Sequence, residues 1–140
     1  MKTATHGLTC CAISPKGDRF VIGSACGDCC LCQYIEEVSM YVSQKSSKHF
    51  SSLVTCCCFH DNGIIYAAGG ADGTVQIYAG VRNKDENQDT FAGACSFSKD
   101  VTVLHTLHLS RAKINSLLFI GDVLYVACGD ANIYKVTFKD

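Results

Sequence analysis

The chain has 140 residues, a length that ordinarily forms one domain with its own hydrophobic core. Hydrophobic residues make up 48% and charged residues 18%, which excludes a disordered chain. A net charge of −1 without any basic run argues against nucleic acid as a partner. The apolar stretches are too short to span a membrane, and the N-terminus lacks the apolar region of a signal peptide. We therefore expect an intracellular protein, cytoplasmic or nuclear and not secreted, without a membrane partner.

The first part of the chain predicts four strands joined by turns. Apolar residues fill Cys10–Ile13, and Ser14–Asp18 supplies the Pro and Gly of a turn. Further strands are predicted at Phe20–Ile22 and, after a Gly-containing turn, at Cys29–Ile35. A fourth strand fits at about Glu37–Val42.

The same pattern recurs in the middle of the chain. Val54–Phe59 predicts a strand, and His60–Gly63 carries the Asn-Gly pair that is typical of a hairpin turn. Ile64–Ala68 and Thr74–Tyr78 predict the next two strands, separated by the turn Gly69–Gly73.

A third copy of the pattern closes the chain. Its strands are predicted at Ile114–Phe119, Val123–Ala127 and Asn132–Phe138, and a strand at about Val101–Leu109 precedes them. The polar stretch between the second and third copies, residues 81–100, is predicted to be an insertion.

The spacing of the copies is that of a repeat protein. The turn after the second strand falls at Gly27, Gly73 and Ala131. The first two positions are separated by about the 40–45 residues of one four-stranded propeller blade. The longer second interval requires the polar insertion.

Two of these segments resemble the WD-repeat family. Ala12–Gly17 resembles the F-S-P-D-G hairpin of that family, and Gly70–Tyr78 resembles its S-x-D-G-T-V-x-I-W strand, with Tyr in place of Trp. The resemblance implies an all-β fold, a partial WD-repeat β-propeller of about three four-stranded antiparallel blades. The expected division is one incomplete propeller domain over 1–140, with blades at 6–44, 46–80 and 101–140 around the insertion at 81–100.

The resemblance also implies a structural hydrogen-bond set. WD repeats are held by a His before the first strand, an Asp in the second turn and a Trp on the third strand. In this sequence only the second copy matches, with His49, Asp72 and Tyr78. Asp72 and Asp130 are also expected to bond their own turn backbone.

The function implied by the resemblance is non-enzymatic: a scaffold that binds proteins and mediates the assembly of a protein complex. Its partners would be proteins of unknown identity, further propeller blades from another chain, or a second copy of this chain, because three blades do not close a ring. No cofactor is expected. Aromatic and Arg side chains are the candidate contacts of such a surface. They are Tyr34, Tyr41, Tyr66, Arg82 and Arg111.

The alternative hypothesis rests on the 11 cysteines of the chain. Cys26, Cys29 and Cys32 form a C-x-x-C-x-x-C run, a spacing that zinc and iron–sulfur sites use. A small Cys-rich metal-binding or redox domain is therefore the competing hypothesis, and a secreted, disulfide-linked β domain is the third. Against metal binding, residues three apart on a strand face opposite ways, and buried free cysteines serve as small apolar side chains.

Overall fold

The computed structural model describes residues 7–35, 40–45, 50–80 and 101–138, and over these ranges the chain is all-β without a helix. Its strands are β1 (Leu8–Ile13), β2 (Arg19–Ser24), β3 (Cys29–Ile35), β4 (Met40–Lys45), β5 (Val54–Phe59), β6 (Ile65–Gly70), β7 (Thr74–Gly80), β8 (Val101–His108), β9 (Ile114–Ile120), β10 (Val123–Cys128) and β11 (Ile133–Thr137). The predicted fold class, an all-β partial propeller, is confirmed.

The strands form three antiparallel sheets in which each strand pairs with the next along the chain. The first sheet has the order β1-β2-β3-β4, the second β5-β6-β7-β8, and the third β9-β10-β11. One predicted position is corrected: β8 pairs with β7, so it belongs to the second sheet and not to the predicted third blade at 101–140. The fourth strand of the first sheet, predicted at about Glu37–Val42, is described from Met40 onward, and its predicted start lies outside the described residues. The predicted insertion at 81–100 lies outside the described residues.

The hairpin between the first two strands of the second sheet shows why these residues turn. The amide of Gly63 donates to the carbonyl of His60 at 2.9 Å, and Gly63 has a φ of 71°. Asn62 Oδ1 accepts from the amides of Ile64 and Ile65 at 2.8 and 3.0 Å. The Asn side chain and the left-handed glycine together close the turn that the Asn-Gly pair predicts.

The turn between the second and third strands uses one backbone shape in all three sheets. Gly27, Gly73 and Ala131 have φ values of 95°, 85° and 71°. Gly27 and Gly73 lie under the following linker: a Cβ on Gly27 would come within 2.3 Å of the Phe50 carbonyl oxygen, and one on Gly73 within 1.8 Å of that of Ser110. The two glycines thus meet a conformational and a steric requirement together.

Neighbouring sheets pack closely through glycines on their second strands. The first residue of β5, Val54, lies on Gly23, and the first residue of β9, Ile114, lies on Gly69. A Cβ on these glycines would come within 2.5 Å of Val54 Cγ1 and within 2.6 Å of Ile114 Cγ2. Each sheet therefore approaches the previous one closely only because the side chain is missing at this point.

Two hydrophobic cores lie between the sheets. The core between the first and second sheets contains Tyr66 stacked on Tyr78, with ring centroids 4.9 Å apart. The core between the second and third sheets joins Ala67, Val75 and Ile77 to the inward face of the third sheet. Neither core lies within a single sheet, because a sheet of three or four strands has no interior of its own.

We expect Ala131→Gly to stabilise the protein by about 1 kcal/mol, because a non-glycine residue at positive φ is strained by about 1–3 kcal/mol and part of the gain is lost to unfolded-chain entropy. Urea unfolding followed by circular dichroism measures the change. The matched control is Ala71→Gly, two residues before Gly73 in the equivalent turn and with negative φ, which should lose about 0.5–1 kcal/mol. A loss of stability in Ala131→Gly would contradict the strain assigned to this turn.

We expect Gly73→Ala to be far more damaging than Gly17→Ala. Both residues have positive φ, at 85° and 75°, but a Cβ on Gly17 meets nothing within 4 Å whereas one on Gly73 collides with the Ser110 backbone. Backbone strain alone should cost Gly17→Ala about 1 kcal/mol, and the collision should add at least about 2 kcal/mol in Gly73→Ala. Equal losses in a thermal or urea unfolding series would show that the linker moves freely away from the turn.

Candidate protein-interaction surface

The third sheet has one face that packs on the second sheet and one that the rest of the described chain leaves open. We call the latter the open face. Strand register places the following residues on it: Ser116, Leu118, Ile120, Val123, Tyr125, Ala127, Ile133, Lys135 and Thr137. All are exposed or half-buried, whereas the opposite face carries the buried residues Leu117, Phe119, Leu124 and Val126.

The open face is strongly apolar for an exposed surface. Leu118, Ile120 and Ile133 are 56%, 59% and 76% exposed. They adjoin the half-buried Val123 and Tyr125 on the central strand β10. Scattered exposed apolar residues are ordinary, but a contiguous apolar patch with a polar rim marks an interaction site.

The register shows which faces of the other sheets correspond to the open face. Gly23, Gly69 and Ala127 occupy the same position in their three sheets. Each lies on the second strand of its sheet and pairs with corresponding residues of the strands on either side. The equivalent faces of the first and second sheets are covered by the next sheet, and their central residues are buried. The open face is therefore in the position of a packing face without a neighbouring sheet among the described residues.

The open face differs from those covered faces at three positions near its centre. Tyr125 replaces Val21 and Ala67, Ala127 replaces the two glycines, and Lys135 replaces Leu31 and Ile77. A larger aromatic, an added methyl group and a cation stand where close sheet packing uses small or apolar residues. A Tyr side chain surrounded by apolar residues is typical of a protein-binding surface. Lys135 is the one charged side chain on the open face.

The predicted structural hydrogen-bond set is only partly described. His49 lies outside the described residues. Asp72 accepts hydrogen bonds from the Ser51 hydroxyl at 2.8 Å and from the Thr74 amide at 3.1 Å. Burial acts to raise the pKa of Asp72, but these hydrogen bonds outweigh it, so the pKa lies below its ordinary value. Tyr78 is fully buried and donates to Gln76 Oε1 at 2.5 Å, so the joint set of His49, Asp72 and Tyr78 stays a prediction.

The third sheet has its own version of this arrangement, which the sequence analysis missed. Asp130 accepts a hydrogen bond from the Tyr134 hydroxyl at 2.6 Å and from the Asn132 amide at 3.0 Å. The Tyr134 hydroxyl lowers the pKa of Asp130 to about 2. The position equivalent to Tyr78 is Val136 in this sheet, and the aromatic partner of Asp130 lies two residues earlier. The predicted backbone bonding of Asp72 and Asp130 in their turns is confirmed.

The three cysteines of the C-x-x-C-x-x-C run do not converge. Cys26 lies in an exposed turn, where its Sγ is 3.1 Å from the Ser24 hydroxyl. Cys29 and Cys32 lie in separate hydrophobic clusters on opposite faces of β3. Burial raises the pKa of Cys29 and raises that of Cys32 to about 11, so both thiols are protonated at neutral pH in this arrangement. Across the residues that the structure describes, no group of three or more His, Cys, Asp or Glu side chains could hold a metal ion.

The contact residues proposed from the sequence are placed unevenly. Tyr66 is fully buried between the first two sheets and is corrected from a surface anchor to a core residue. Arg111 is exposed in the linker between β8 and β9. Arg82 and the side chains of Tyr34 and Tyr41 lie outside the described part of the chain.

The residues of the open face were missed for a physical reason. Leu117–Ile120 is apolar at four consecutive positions, a pattern typical of a strand buried on both faces. That pattern was the signal that could have identified the open face, because the described residues cover only one of the two faces of this strand.

Three antiparallel sheets, packed face to face through glycines on their second strands, define a partial β-propeller. Residues 2–34 and 42–79, together half of the chain, match the family model described as WD domain, G-beta repeat. The chain belongs to the WD40 repeat family.

The curated relatives that the chain resembles are subunits of one kind of complex. It is 31% identical over 81 residues to Actin-related protein 2/3 complex subunit 1 of Saccharomyces cerevisiae, which covers 58% of this chain and 21% of the relative. It is 29% identical over 90 residues to subunits 1A and 1B of the same complex in Arabidopsis thaliana, covering 64% of this chain and 24% of each relative. The chain thus aligns with less than a quarter of the length of these relatives. Over the described ranges, no helix is long and apolar enough to cross a membrane.

We expect Tyr134→Phe to raise the pKa of Asp130 from about 2 toward its ordinary value of 3.8, because the phenol is the main donor to the carboxylate. NMR titration of the Asp130 side-chain carbonyl carbon measures this. A lowered pKa in the folded state stabilises the fold above the unfolded-state pKa, and this contribution is lost as the pH falls toward 2. Tyr125→Phe, on the opposite face of the same sheet, should leave the titration unchanged. An unchanged titration midpoint of Asp130 in Tyr134→Phe would show that the Tyr134 hydroxyl does not lower the pKa of Asp130.

Proposed function

We propose that this chain is a non-enzymatic protein-binding scaffold built from WD repeats, which mediates the assembly of a protein complex through its third sheet. The observation that carries the proposal is the open face, an apolar packing face without a neighbouring sheet in the described chain. Burying such a surface supplies the free energy of association, at roughly 25 cal/mol per Å² before the costs of binding.

The occupant of the open face, in this proposal, is a partner protein and not a second copy of this chain. A second copy that continued the sheet order of this chain would present the outer face of its first sheet, opposite the face that contains Gly23. That face already buries Ile22, Cys30 and Cys32, which are 6%, 2% and 0% exposed, so its centre is not available for docking. Ala127 also carries a methyl group where Val54 and Ile114 require glycine in the contacts between this chain's own sheets.

The chemistry of the face specifies what the partner presents. An apolar partner surface is complementary to the exposed side chains of Leu118, Ile120 and Ile133. Tyr125 on the central strand is suited to an anchoring contact. Lys135 lies beside Tyr125 in the strand register and calls for a carboxylate opposite it. An apolar patch with an acidic residue facing Lys135 is therefore the complementary surface.

The relatives suggest the kind of complex. They are subunits of the actin-related protein 2/3 complex, and the aligned segment is long enough to include two of the three sheets. We propose that this chain takes part in a complex of the same kind, as a counterpart of part of subunit 1. The location in the cytoplasm or nucleus that the sequence analysis expects stays a prediction.

We expect the purified chain to bind the Saccharomyces cerevisiae actin-related protein 2/3 complex prepared without its subunit 1, and we expect Tyr125→Ala and Lys135→Glu each to weaken binding at least tenfold. Tyr125→Ala removes the central anchor, and Lys135→Glu opposes the partner's carboxylate with a like charge. Size-exclusion chromatography and biolayer interferometry measure the association. Lys113→Glu is the matched control, because Lys113 is exposed in the linker before β9 and outside the open face.

Three results would count against this proposal. The first is a folded wild-type chain that does not associate with the depleted complex, and the second is a pair of face variants that bind as well as the wild type. The third is a dimer of the chain alone in native mass spectrometry that Tyr125→Ala disrupts, which would assign the open face to a second copy.

A further inference from the structure

Two cysteine thiols meet at the interface between the first and second sheets. Cys10 on β1 and Cys57 on β5 have their Sγ atoms 3.6 Å apart, and the Cys57 thiol is oriented to donate a hydrogen bond to Cys10. Both residues are half-buried, so each keeps part of its surface exposed to solvent. We refer to them as the Cys10–Cys57 pair.

The two thiols have different acidities. The hydrogen bond from Cys57 stabilises the Cys10 thiolate and, against the effect of burial, lowers the pKa of Cys10 to about 7. The pKa of Cys57 is raised, first because it is the donor to Cys10 and second because it is buried. Cys10 is therefore the more acidic thiol of the pair and the one that forms a thiolate near pH 7, and Cys57 is its protonated partner.

The repeat supplies an internal comparison. In the strand register, Cys56 of the second sheet is the equivalent of Cys10, and Leu117 of the third sheet is the equivalent of Cys57. The interface between the second and third sheets thus has a thiol facing a leucine. Burial raises the pKa of Cys56. The pairing of two thiols, with one acidic member, is therefore not a property that the packing of these sheets requires.

We propose that the Cys10–Cys57 pair is a redox modification site, at which a small-molecule disulfide such as glutathione disulfide converts the two thiols into a disulfide bond between the first and second sheets. The proposal is independent of the protein-binding function and of the open face, which lies on the third sheet.

The reaction proceeds in two exchange steps. The Cys10 thiolate attacks one sulfur of glutathione disulfide, forming a mixed disulfide and releasing one glutathione thiolate. The negative charge on Cys10, which opposes ionisation of Cys57, is then gone. Cys57 loses its proton to solvent, attacks the Cys10 sulfur and releases the second glutathione thiolate. Two protein thiols are oxidised, one glutathione disulfide is reduced to two glutathione molecules, and the protein loses two hydrogen atoms.

The geometry requires only a small movement. The Sγ atoms must approach by about 1.5 Å to reach the S–S bond length. Such a bond would link the first strands of two sheets across a loop of several tens of residues, so it would restrict the unfolded chain and stabilise the folded one. We expect the midpoint of thermal unfolding to rise by roughly 10 °C on oxidation.

The test is oxidation of the reduced, purified chain with glutathione disulfide, followed by alkylation of the remaining thiols, proteolysis and mass spectrometry. The wild type should lose two hydrogen atoms and yield a peptide joining the segment of Cys10 to that of Cys57. Cys10→Ser should abolish the link, and Cys57→Ser should stop at a glutathione adduct on Cys10. Cys11→Ser and Cys56→Ser are the matched controls, since each removes a neighbouring thiol of the same peptides and should keep both the link and the rise in unfolding temperature.

A second readout uses the wild type alone, so it does not depend on variants that fold poorly. The rate of mixed-disulfide formation at Cys10 should reach half its maximum near pH 7, the pH at which half of Cys10 is ionised. The proposal is overturned if oxidation joins other cysteines in preference to this pair, or if the exposed Cys11 and Cys26 react at pH 7 before Cys10 does.

Discussion

The close approach of neighbouring sheets is the constraint on which the rest of this structure depends. A three- or four-stranded sheet has apolar residues on both faces and cannot bury either one alone, so stability comes from contacts between sheets. The contacts are close because Val54 and Ile114 lie on glycines of the preceding sheet. Hydrogen bonds between linkers and turns, such as Phe50 N to Gly27 O at 2.9 Å and Leu109 N to Gly73 O at 3.1 Å, fix the same spacing.

The third sheet departs from this constraint at two separate positions. Ala127 stands where the other sheets have Gly23 and Gly69, and Ala131 stands where they have Gly27 and Gly73. Each of these alanines carries a methyl group at a point where the other sheets leave no room for one. The face that contains Ala127 is therefore shaped for a looser contact than those between this chain's own sheets. Tyr125 and Lys135 on the same face supply what a looser, partner-specific contact uses: a large aromatic anchor and a charge that selects its opposite.

Much of the fold could be predicted from the sequence because turns are local. The residues that set φ in a turn, such as Asn62 with Gly63, act on their own backbone, and their signal survives in a single sequence. The recurrence of turns at Gly27, Gly73 and Ala131 also predicted the repeated unit. All three residues have positive φ in the structure. The sheet to which β8 belongs could not be predicted from local turn residues. A strand that follows a long insertion finds its partner strand through tertiary contacts.

The candidate site was harder to predict from the sequence than the fold. Its existence depends on which face of a strand lacks a neighbouring sheet among the described residues. The alternation of residues in β9 and β10 identifies two faces but does not say which of them lacks a neighbour. The partner of Asp130 was missed for a related reason: Tyr134 reaches the carboxylate from a position that the family pattern assigns to another residue type. Both cases show that a repeat pattern locates equivalent positions, while the chemistry at each position depends on what faces it.

The cysteines follow from the same packing constraint. The contacts between sheets are close and apolar, and Cys meets both conditions as a small apolar side chain. Most of the described thiols are buried or half-buried, and burial favours their protonated form, as the raised pKa of Cys29 and the pKa of about 12 for Cys58 indicate. Cys10 is different because the residue facing it is a second thiol, which can donate a hydrogen bond to its thiolate, whereas Cys56 has a leucine at the equivalent position. A residue type chosen for its volume thus acquires reactivity at the one described contact where two copies of it face each other across a sheet interface.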